Sequence, residues 1–437
     1  MRHFFPIMKT EILYSIFKES TGIATDSRKV EKGQMFFALW GEKFNGNEYA
    51  AEALANGASV AVIDDAAYET VNTVLVDDCL LELHSLATLH RKEMNVPVLA
   101  ITGSNGKTTT KELLAAILSK KIKVHYTIGN LNNHIGVPLT ILSAPAGTEM
   151  MIVEMGANHI GEIRTLCVIA RPDFGIITNV GMAHIEGFGS FDGVLRAKTE
   201  LYEYLRKVNG VAIYNDKNPL LTERIFRILN RAVPYSDPSG TELIIEAALS
   251  AITLNVIVKY LHQTYTINTN LFGRYNLENV KAAIAAGLFF GVEMTDIKDA
   301  IEGYHPSNNR SEIKITAGNT LICDSYNANP ASMVSALESF SVLLAEDKVV
   351  ILGDMLELGE KSSQEHAAII EKAKSIAGAK IFLVGPNFAG VAHDSGCRLF
   401  PDAETLVGYL RNEPLTGSFV LIKGSRGMGL EKIYPLL

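Results

Sequence analysis

The sequence predicts an α/β protein of about three domains, and three observations carry that prediction. Its 437 residues, at roughly 150 residues per domain, give about three units. Short apolar strands alternate with helical stretches along most of the chain, the rhythm of parallel sheets covered on both faces. That rhythm lapses over residues 242–270 and resumes after 320. The predicted units are 1–97, a small α/β domain; 98–313, a parallel-sheet domain with antiparallel strands added; and 314–437, again β/α-alternating.

Each element has its own justification. Residues 35–39 and 59–63 read as strands, and 48–56 between them has helical spacing that stops at Gly57, a C-cap signal. A second helix is predicted over 80–95. Pro97 then introduces Val98-Leu99-Ala100-Ile101, the wholly apolar strand of a buried parallel sheet. Residues 108–120 read as a helix with Leu113, Leu114, Ile117 and Leu118 on one face. The runs 151–153 and 174–177 are buried-type strands flanking a helix over 161–170. Residues 252–258 and 264–267 alternate in polarity, as antiparallel strands with one wet face do. A helix over 276–290 leads to the polar turn 305–309. Strands follow over 321–324, 349–352, 380–384 and 418–422.

Composition excludes several classes. With 47% apolar and 20% charged residues, the chain can bury sizeable cores and is neither disordered nor a coiled coil. A net charge of -8 gives no support to nonspecific binding of nucleic acid or anionic membrane. Cys79, Cys167, Cys323 and Cys397 are far apart with no zinc spacing; they read as buried apolar residues in a reducing compartment. Residues 1–9 lack the long apolar region of a signal peptide, and no apolar run reaches the ~18 residues of a spanning helix. The expectation is a cytoplasmic protein without membrane insertion.

The most informative stretch is Ile101-Thr102-Gly103-Ser104-Asn105-Gly106-Lys107-Thr108-Thr109. It follows a buried strand and opens a helix, the setting of a phosphate loop whose backbone N–H groups turn toward phosphate oxygens. Lys107 would reach the β- and γ-phosphates and Thr108 would ligate Mg²⁺. The usual loop has glycine where this chain has Ile101. Kinases, switches and ligases all use such a loop, so it predicts nucleotide binding and leaves the reaction open.

Other residues gain meaning only together. Glu154 ends the strand 151–153, where a carboxylate can hold Mg²⁺ or simply face solvent. His184 follows the strand 174–177 in a loop, and Lys198 sits in a helix; taken alone, each is an ordinary polar residue. The asparagines Asn130, Asn132 and Asn133 fit a plain polar turn.

Read in order, these segments resemble the Mur ligase family, ATP-dependent amide-bond formers of cell-wall precursor synthesis, over nearly the whole chain. Residues 102–109 are similar to the family's shortened phosphate loop, which accommodates Ile101. Asn130-Leu131-Asn132-Asn133-His134-Ile135-Gly136-Val137-Pro138, Glu154-Met155-Gly156-Ala157, Thr178-Asn179-Val180-Gly181-Met182-Ala183-His184 and Ala197-Lys198-Thr199-Glu200 follow in family order. Thr25-Asp26-Ser27-Arg28 with Gly41-Glu42 resembles the uridine-nucleotide-binding region shared with the family's diamino-acid-adding ligase, the alternative reading, whose Asp-Asn-Pro-Arg motif of some lineages is not found in this sequence. Asp324-Ser325-Tyr326-Asn327-Ala328-Asn329-Pro330, the run 353–359 and Lys423-Gly424-Ser425-Arg426 resemble the signatures of members that add D-alanyl-D-alanine. Gly273-Arg274-Tyr275-Asn276-Leu277-Glu278-Asn279 matches except at Tyr275, where the family often has histidine.

The resemblance implies a C-terminal Rossmann-like domain and a ligase acting through an acyl phosphate on two small molecules, UDP-N-acetylmuramoyl-tripeptide and D-Ala-D-Ala, as a monomer. ATP would lie on Gly103, Ser104, Asn105, Gly106, Lys107, Thr108 and Thr109, its adenine near Asn276 and Asn279, its γ-phosphate near Arg310 and its ribose near Asp324. Mg²⁺ would be held by Thr108 and Glu154, and a second Mg²⁺ by His184 and a carbamylated Lys198. Substrate would meet Thr25, Asp26, Ser27, Arg28, Asn133, Ser325, Asn327, Asn329, Ser425 and Arg426. Folylpolyglutamate synthase-like ligases share the loop and the C-terminal fold but lack a matching uridine-nucleotide domain. A nucleotide-binding switch would need only the loop.

Overall fold

Six strands pair in parallel at the centre of the molecule, in the spatial order Ala232–Pro234, Val211–Tyr214, Phe174–Ile177, Val98–Thr102, Met150–Glu154 and Val124–Tyr126. The structure, a computed structural model, describes residues 4–181, 185–248, 252–392 and 395–437. Alternate residues of these strands face opposite sides of the sheet. Val98, Ala100, Met151 and Val153 enter one apolar core, and Leu99, Ile101, Met150 and Ile152 another. That explains the unbroken apolar runs. The chain enters at Val98–Thr102, goes out to one edge, and later crosses to the other side. The order therefore reverses beside Thr102, and a crevice opens beyond the strand ends there.

The preceding residues form a four-stranded parallel sheet, Ile23–Ala24, Met35–Phe37, Val60–Ile63 and Thr73–Leu75. Its last helix, Cys79–Met94, is capped by the Asp78 side chain and ends at Asn95 with φ 49°. This helix packs against Phe4–Glu19 on one side and against Gly136–Leu142 and Glu162–Ala170 of the central layer on the other. Leu13, Phe36 and Leu83 share one core with Ala100, Val153 and Ile163. Arg91 ties the two layers polarly. Its guanidinium donates to the carbonyls of Ala170 and Arg171 at 3.1 and 3.2 Å and to Asp173 at 2.9 Å. The first two caps answer carbonyls orphaned where the helix Glu162–Ala170 ends.

Helices Lys107–Leu118 and Leu277–Phe289 lie on the second face of the central sheet, and three antiparallel strands, Leu243–Ala248, Thr253–Tyr260 and Gln263–Phe272, share the apolar core there. The inward residues Val256, Val258 and Ile267 are fully buried. A second six-stranded sheet completes the chain in the order Glu312–Ile315, Thr320–Asp324, Phe419–Lys423, Lys348–Gly353, Lys380–Val384 and Arg398–Phe400, parallel except for its first strand. This sheet too has a core on each face.

The predicted α/β class holds, with differences of detail. The strand read at 264–267 runs from Gln263 to Phe272, because cross-strand pairing with Thr253–Tyr260 carries it past the alternating residues. The helix over 48–56 shortens to Ala50–Ala55 behind a 3₁₀ turn, Gly46–Tyr49, capped by Asn45. Of residues 1–9, those from Phe4 onward lie in a helix, Phe4–Glu19. Cys397 is half-buried, unlike the three other thiols. Among the described residues no helix is long and apolar enough to cross a membrane.

Replacing Arg91 by Met keeps the aliphatic stem and removes every bond that joins the layers through this side chain. We expect a loss of about 2 kcal/mol, read as a lower urea midpoint with an unchanged slope; an unaltered midpoint would refute the assigned role.

Candidate active site

The phosphate loop is built where the sheet order reverses. Gly103 has φ +147°, and a Cβ there would lie 2.0 Å from Thr178 Oγ1; Gly106 has φ +80°, and a Cβ there would lie 2.1 Å from Asn279 Oδ1. Both positions therefore require glycine, through backbone conformation and through close neighbours. The loop is clamped from the next strand. Thr178 Oγ1 and Asn179 Nδ2 donate to the carbonyl of Asn105 at 2.6 and 3.0 Å, and Asn105 N donates to Asn179 Oδ1 at 2.9 Å. Ser104 Oγ donates to the Gly181 carbonyl at 3.1 Å. Helix Lys107–Leu118 then aims its N-terminus into the loop. Lys107 Nζ folds back onto the carbonyls of Gly103 and Ser104 at 2.7 and 3.3 Å. Burial lowers the Lys107 pKa; Glu154 works against that shift and Arg310 adds to it.

Beside the loop stands Glu154, only 1% exposed. Its Oε2 accepts from Thr108 Oγ1 at 2.9 Å and its Oε1 from Asn132 Nδ2 at 2.8 Å. Asn133 uses its own side chain to cap the neighbouring helix, accepting from the backbone N of Ile135 and Gly136 at 3.1 and 2.9 Å.

Facing this cluster across a cleft of about 1210 Å³ are residues of the second large sheet and the segment leading to it. Asp324 and Lys423 end adjacent parallel strands in register. Lys423 Nζ donates to Asp324 Oδ2 at 2.6 Å, and Ser311 N donates to Asp324 Oδ1 at 3.0 Å. The Arg310 guanidinium lies 3.6 Å from the centre of the Tyr326 ring and that of Arg426 5.1 Å from it, a cation–π arrangement with one platform. Asn329 caps helix Pro330–Ser341 and reaches over to the phosphate loop, its Nδ2 donating to Asn105 Oδ1 at 2.8 Å. Asn327 Oδ1 accepts from Ala328 N at 2.9 Å, Ser325 Oγ bonds Tyr434 OH at 2.7 Å, and Ser425 Oγ accepts from Leu356 N at 3.0 Å.

Asn276 and Asn279 reach the cleft wall, but their amides are engaged within the protein. Asn276 Nδ2 donates to the Phe272 carbonyl at 2.8 Å, and Asn279 Nδ2 donates to Asn276 Oδ1 at 2.8 Å. Lys198 is 2% exposed, with Nζ 3.4 Å from the Ala157 carbonyl and 5.4 Å from the Phe188 ring centre. Burial and then Lys107 push its pKa down to about 7, against Glu162 and Glu200. His184 lies outside the described residues.

Thr25, Asp26, Ser27 and Arg28 do not line this cleft. They form a separate surface turn in which Asp26 caps Ser27–Lys29 and pairs twice with Arg28 at 2.9 Å. Near it in sequence, Gly41 and Glu42 belong to a small hairpin whose Trp40 and Phe44 are exposed.

Sequence reasoning gave no role to three residues, two lining the cleft and one buried behind it. Asn132 binds the carboxylate although its surroundings read as a turn. Tyr326 is the platform for two arginines. Lys111 is fully buried beside Glu154; a lysine three residues before Leu114 and seven before Leu118, on the apolar stripe, was the available signal.

Comparison with known proteins matches three family models. "Mur ligase family, catalytic domain" covers residues 19–124, "Mur ligase middle domain" 101–287 and "Mur ligase, glutamate ligase domain" 309–426. The UDP-N-acetylmuramoyl-tripeptide–D-alanyl-D-alanine ligase of Bacillus subtilis is 35% identical, over 94% of this chain and 92% of its own. Among solved structures, MurF from Acinetobacter baumannii superposes with a TM-score of 0.85 at 30% identity, covering 96% of this chain and 97% of the other. MurF from Thermotoga maritima in complex with ADP gives 0.83 at 26% identity, covering 96% and 97%.

The ring that supports both guanidinium groups supplies a test. Tyr326→Leu should weaken binding of a non-hydrolysable ATP analogue by roughly threefold to tenfold, the worth of one or two cation–π contacts, whereas Tyr326→Phe should bind as the parent does. Titration with a fluorescent form of that analogue measures both; equal affinities for all three proteins would remove the platform role.

Proposed function

The chain belongs to the Mur ligase family, and from that premise we propose that its central cleft joins D-alanyl-D-alanine to UDP-N-acetylmuramoyl-tripeptide at the expense of ATP, in peptidoglycan precursor synthesis. The observation that carries this reading is the likeness to D-alanyl-D-alanine-adding ligases over 94% of the chain, with a phosphate loop set against a buried carboxylate at 2.9 Å.

The division of labour follows the predicted units. The segment 1–97 holds the uridine nucleotide through Thr25, Asp26, Ser27 and Arg28. The segment 98–313 holds ATP, and 314–437 brings the dipeptide through Ser325, Asn327, Asn329, Ser425 and Arg426. Action as a monomer in the cytoplasm belongs to the same reading.

A carboxylate is a poor electrophile, so the tripeptide's terminal carboxylate first takes the γ-phosphoryl group of ATP. The dipeptide amine then attacks the acyl phosphate, and the tetrahedral intermediate expels phosphate. Lys107 leaves its loop carbonyls for the β- and γ-phosphates, and Arg310 meets the γ-phosphate, so crowded negative charge is neutralised as it is transferred. Asp324 holds the ribose. Asn276 and Asn279, locked to each other, present a rigid edge to the adenine.

The donor set suits Mg²⁺. Thr108 and Glu154 offer a hydroxyl and a carboxylate, the hard oxygen ligands it prefers, and it keeps room for phosphate oxygens and water. Among the described residues no three His, Cys, Asp or Glu side chains converge as a metal site. Bound there, Mg²⁺ would supply charge neutralisation at the transferring phosphoryl group. His184 and Lys198 are assigned to a second ion.

Lys198 becomes an oxygen ligand by carbamylation. With a pKa of about 7, about half of its amine is neutral at neutral pH. The neutral amine attacks CO₂, forming an N–C bond and releasing one proton. Protonation below pH 7 removes that nucleophile, so the carbamate should fade as pH falls and persist as it rises.

Two measurements test the assignment. Phosphate release from ATP should require both the UDP-muramoyl-tripeptide and D-Ala-D-Ala and should yield the pentapeptide by mass; release independent of both would leave only a nucleotidase. With ¹³C-bicarbonate, a carbamate resonance should appear, be absent in Lys198→Ala, and weaken below pH 7. The same variant should lose ligation and regain part of it with added short carboxylates. Full activity without them would take Lys198 out of the site.

A further inference from the structure

Helix Lys107–Leu118 carries a second lysine, one turn beyond the loop lysine, to which the reaction assigns no task. Lys111 is 0% exposed. Its Nζ has no hydrogen-bond partner among the described residues. The nearest anionic atoms are Glu112 Oε1 at 3.7 Å and Glu154 Oε2 at 3.8 Å, and the Tyr126 ring centre lies 5.8 Å away. Glu112 is engaged from its other side, where Oε2 accepts from Tyr304 OH at 2.7 Å.

A structural account of this lysine is poor. The position belongs to the stripe of Leu114 and Leu118, where an apolar side chain would pack without desolvating an ammonium group. Nor does Lys111 aim the carboxylate, since Thr108 and Asn132 already bond both Glu154 oxygens at 2.9 and 2.8 Å. What remains is charge, held in a water-poor place where it acts strongly.

We propose that Lys111 is a positioning residue acting through Glu154: its ammonium balances that carboxylate while the phosphate loop is empty and repels a divalent cation from it, so that the cation enters with the nucleotide phosphates rather than ahead of them. The inference rests on the reading of Glu154 as a cation ligand. A cation arriving alone would meet the ammonium groups of Lys111 and Lys107 around Glu154, with Glu112, engaged by Tyr304, as the other carboxylate beside Lys111. Arriving with a nucleotide, it brings the phosphate charges that turn both lysines from repelling to attracting groups.

The test uses Mn²⁺ as the probe, followed by its free-ion electron paramagnetic resonance signal, with the whole protein free of nucleotide and saturated with ADP. Nucleotide-free Lys111→Met should bind Mn²⁺ about tenfold more tightly than the parent, while Lys111→Arg, which keeps the charge, should match the parent. Metal-free ADP should bind several-fold more weakly to Lys111→Met. A loosened or misfolded site would lower Mn²⁺ affinity, so equal or weaker Mn²⁺ binding by the nucleotide-free methionine variant overturns the proposal. Should that variant not fold, the parent alone decides: Mn²⁺ binding that is equally tight with and without ADP overturns it, and binding that appears only with ADP supports it. Glu154→Gln separates the underlying reading. If it leaves Mn²⁺ binding to the ADP-loaded protein unchanged, Glu154 is not the ligand, and that reading fails independently of Lys111.

Discussion

The cleft depends on a single buried anion. Glu154 ends its strand with both carboxylate oxygens bonded, one to the first turn of the phosphate-loop helix and one to the neighbouring asparagine loop. That geometry is a matter of register. Ile101 pairs with Glu154, so the carboxylate arrives level with the point at which the loop leaves the sheet. The Glu154 backbone is fixed from the edge strand's side as well, its N–H donating to Thr127 Oγ1 at 3.0 Å. A slip of one residue would turn the carboxylate toward the opposite face, where an apolar core waits. The apolar strand residues are therefore part of the site, because their packing against two cores permits only one register.

The second large sheet solves the same problem with different charges. Asp324 and Lys423 end neighbouring strands in register and pair at 2.6 Å. One strand further, Asp354, also at a strand end, accepts from the N–H groups of Asn387 and Phe388 at 2.8 and 2.9 Å. Each sheet therefore brings its polar groups to the carboxyl ends of its strands, the general place for ligands in open α/β sheets. The two rims meet face to face, with Asn329 and Asn105 touching between them.

How much of this was legible in the sequence depends on distance along the chain. The phosphate loop is local: strand, glycines, lysine and helix are contiguous, so nine residues declare it. The pairing of Thr108 with Glu154 spans 46 positions, and nothing local in either segment reveals the other; only resemblance put them in one site. Asn276 and Asn279 were readable as neighbours on one turn, but not as partners of each other, since an exposed helix face would leave those amides free. Lys111 broke the apolar stripe of its helix and could have been noticed. Tyr326 could not, because what makes it functional is the approach of Arg310 and Arg426 from segments 16 and 100 residues away.

The helix Cys79–Met94 leaves a consequence for how the molecule comes apart. By chain order the molecule reads as three units, but its apolar cores do not follow that division. Leu83 and Leu86 of that helix, Phe36 and Val62 of the first sheet, and Val98 and Val153 of the central sheet all belong to one continuous core. The final sheet has cores of its own, joined to the rest chiefly through Phe272 and its neighbours. Cooperativity follows shared burial rather than strand connectivity. In a calorimeter the first sheet, the central sheet and the antiparallel strands that share its core should therefore melt as a single unit and the last six-stranded sheet as another, so that a chain read as three units unfolds with the thermodynamics of two.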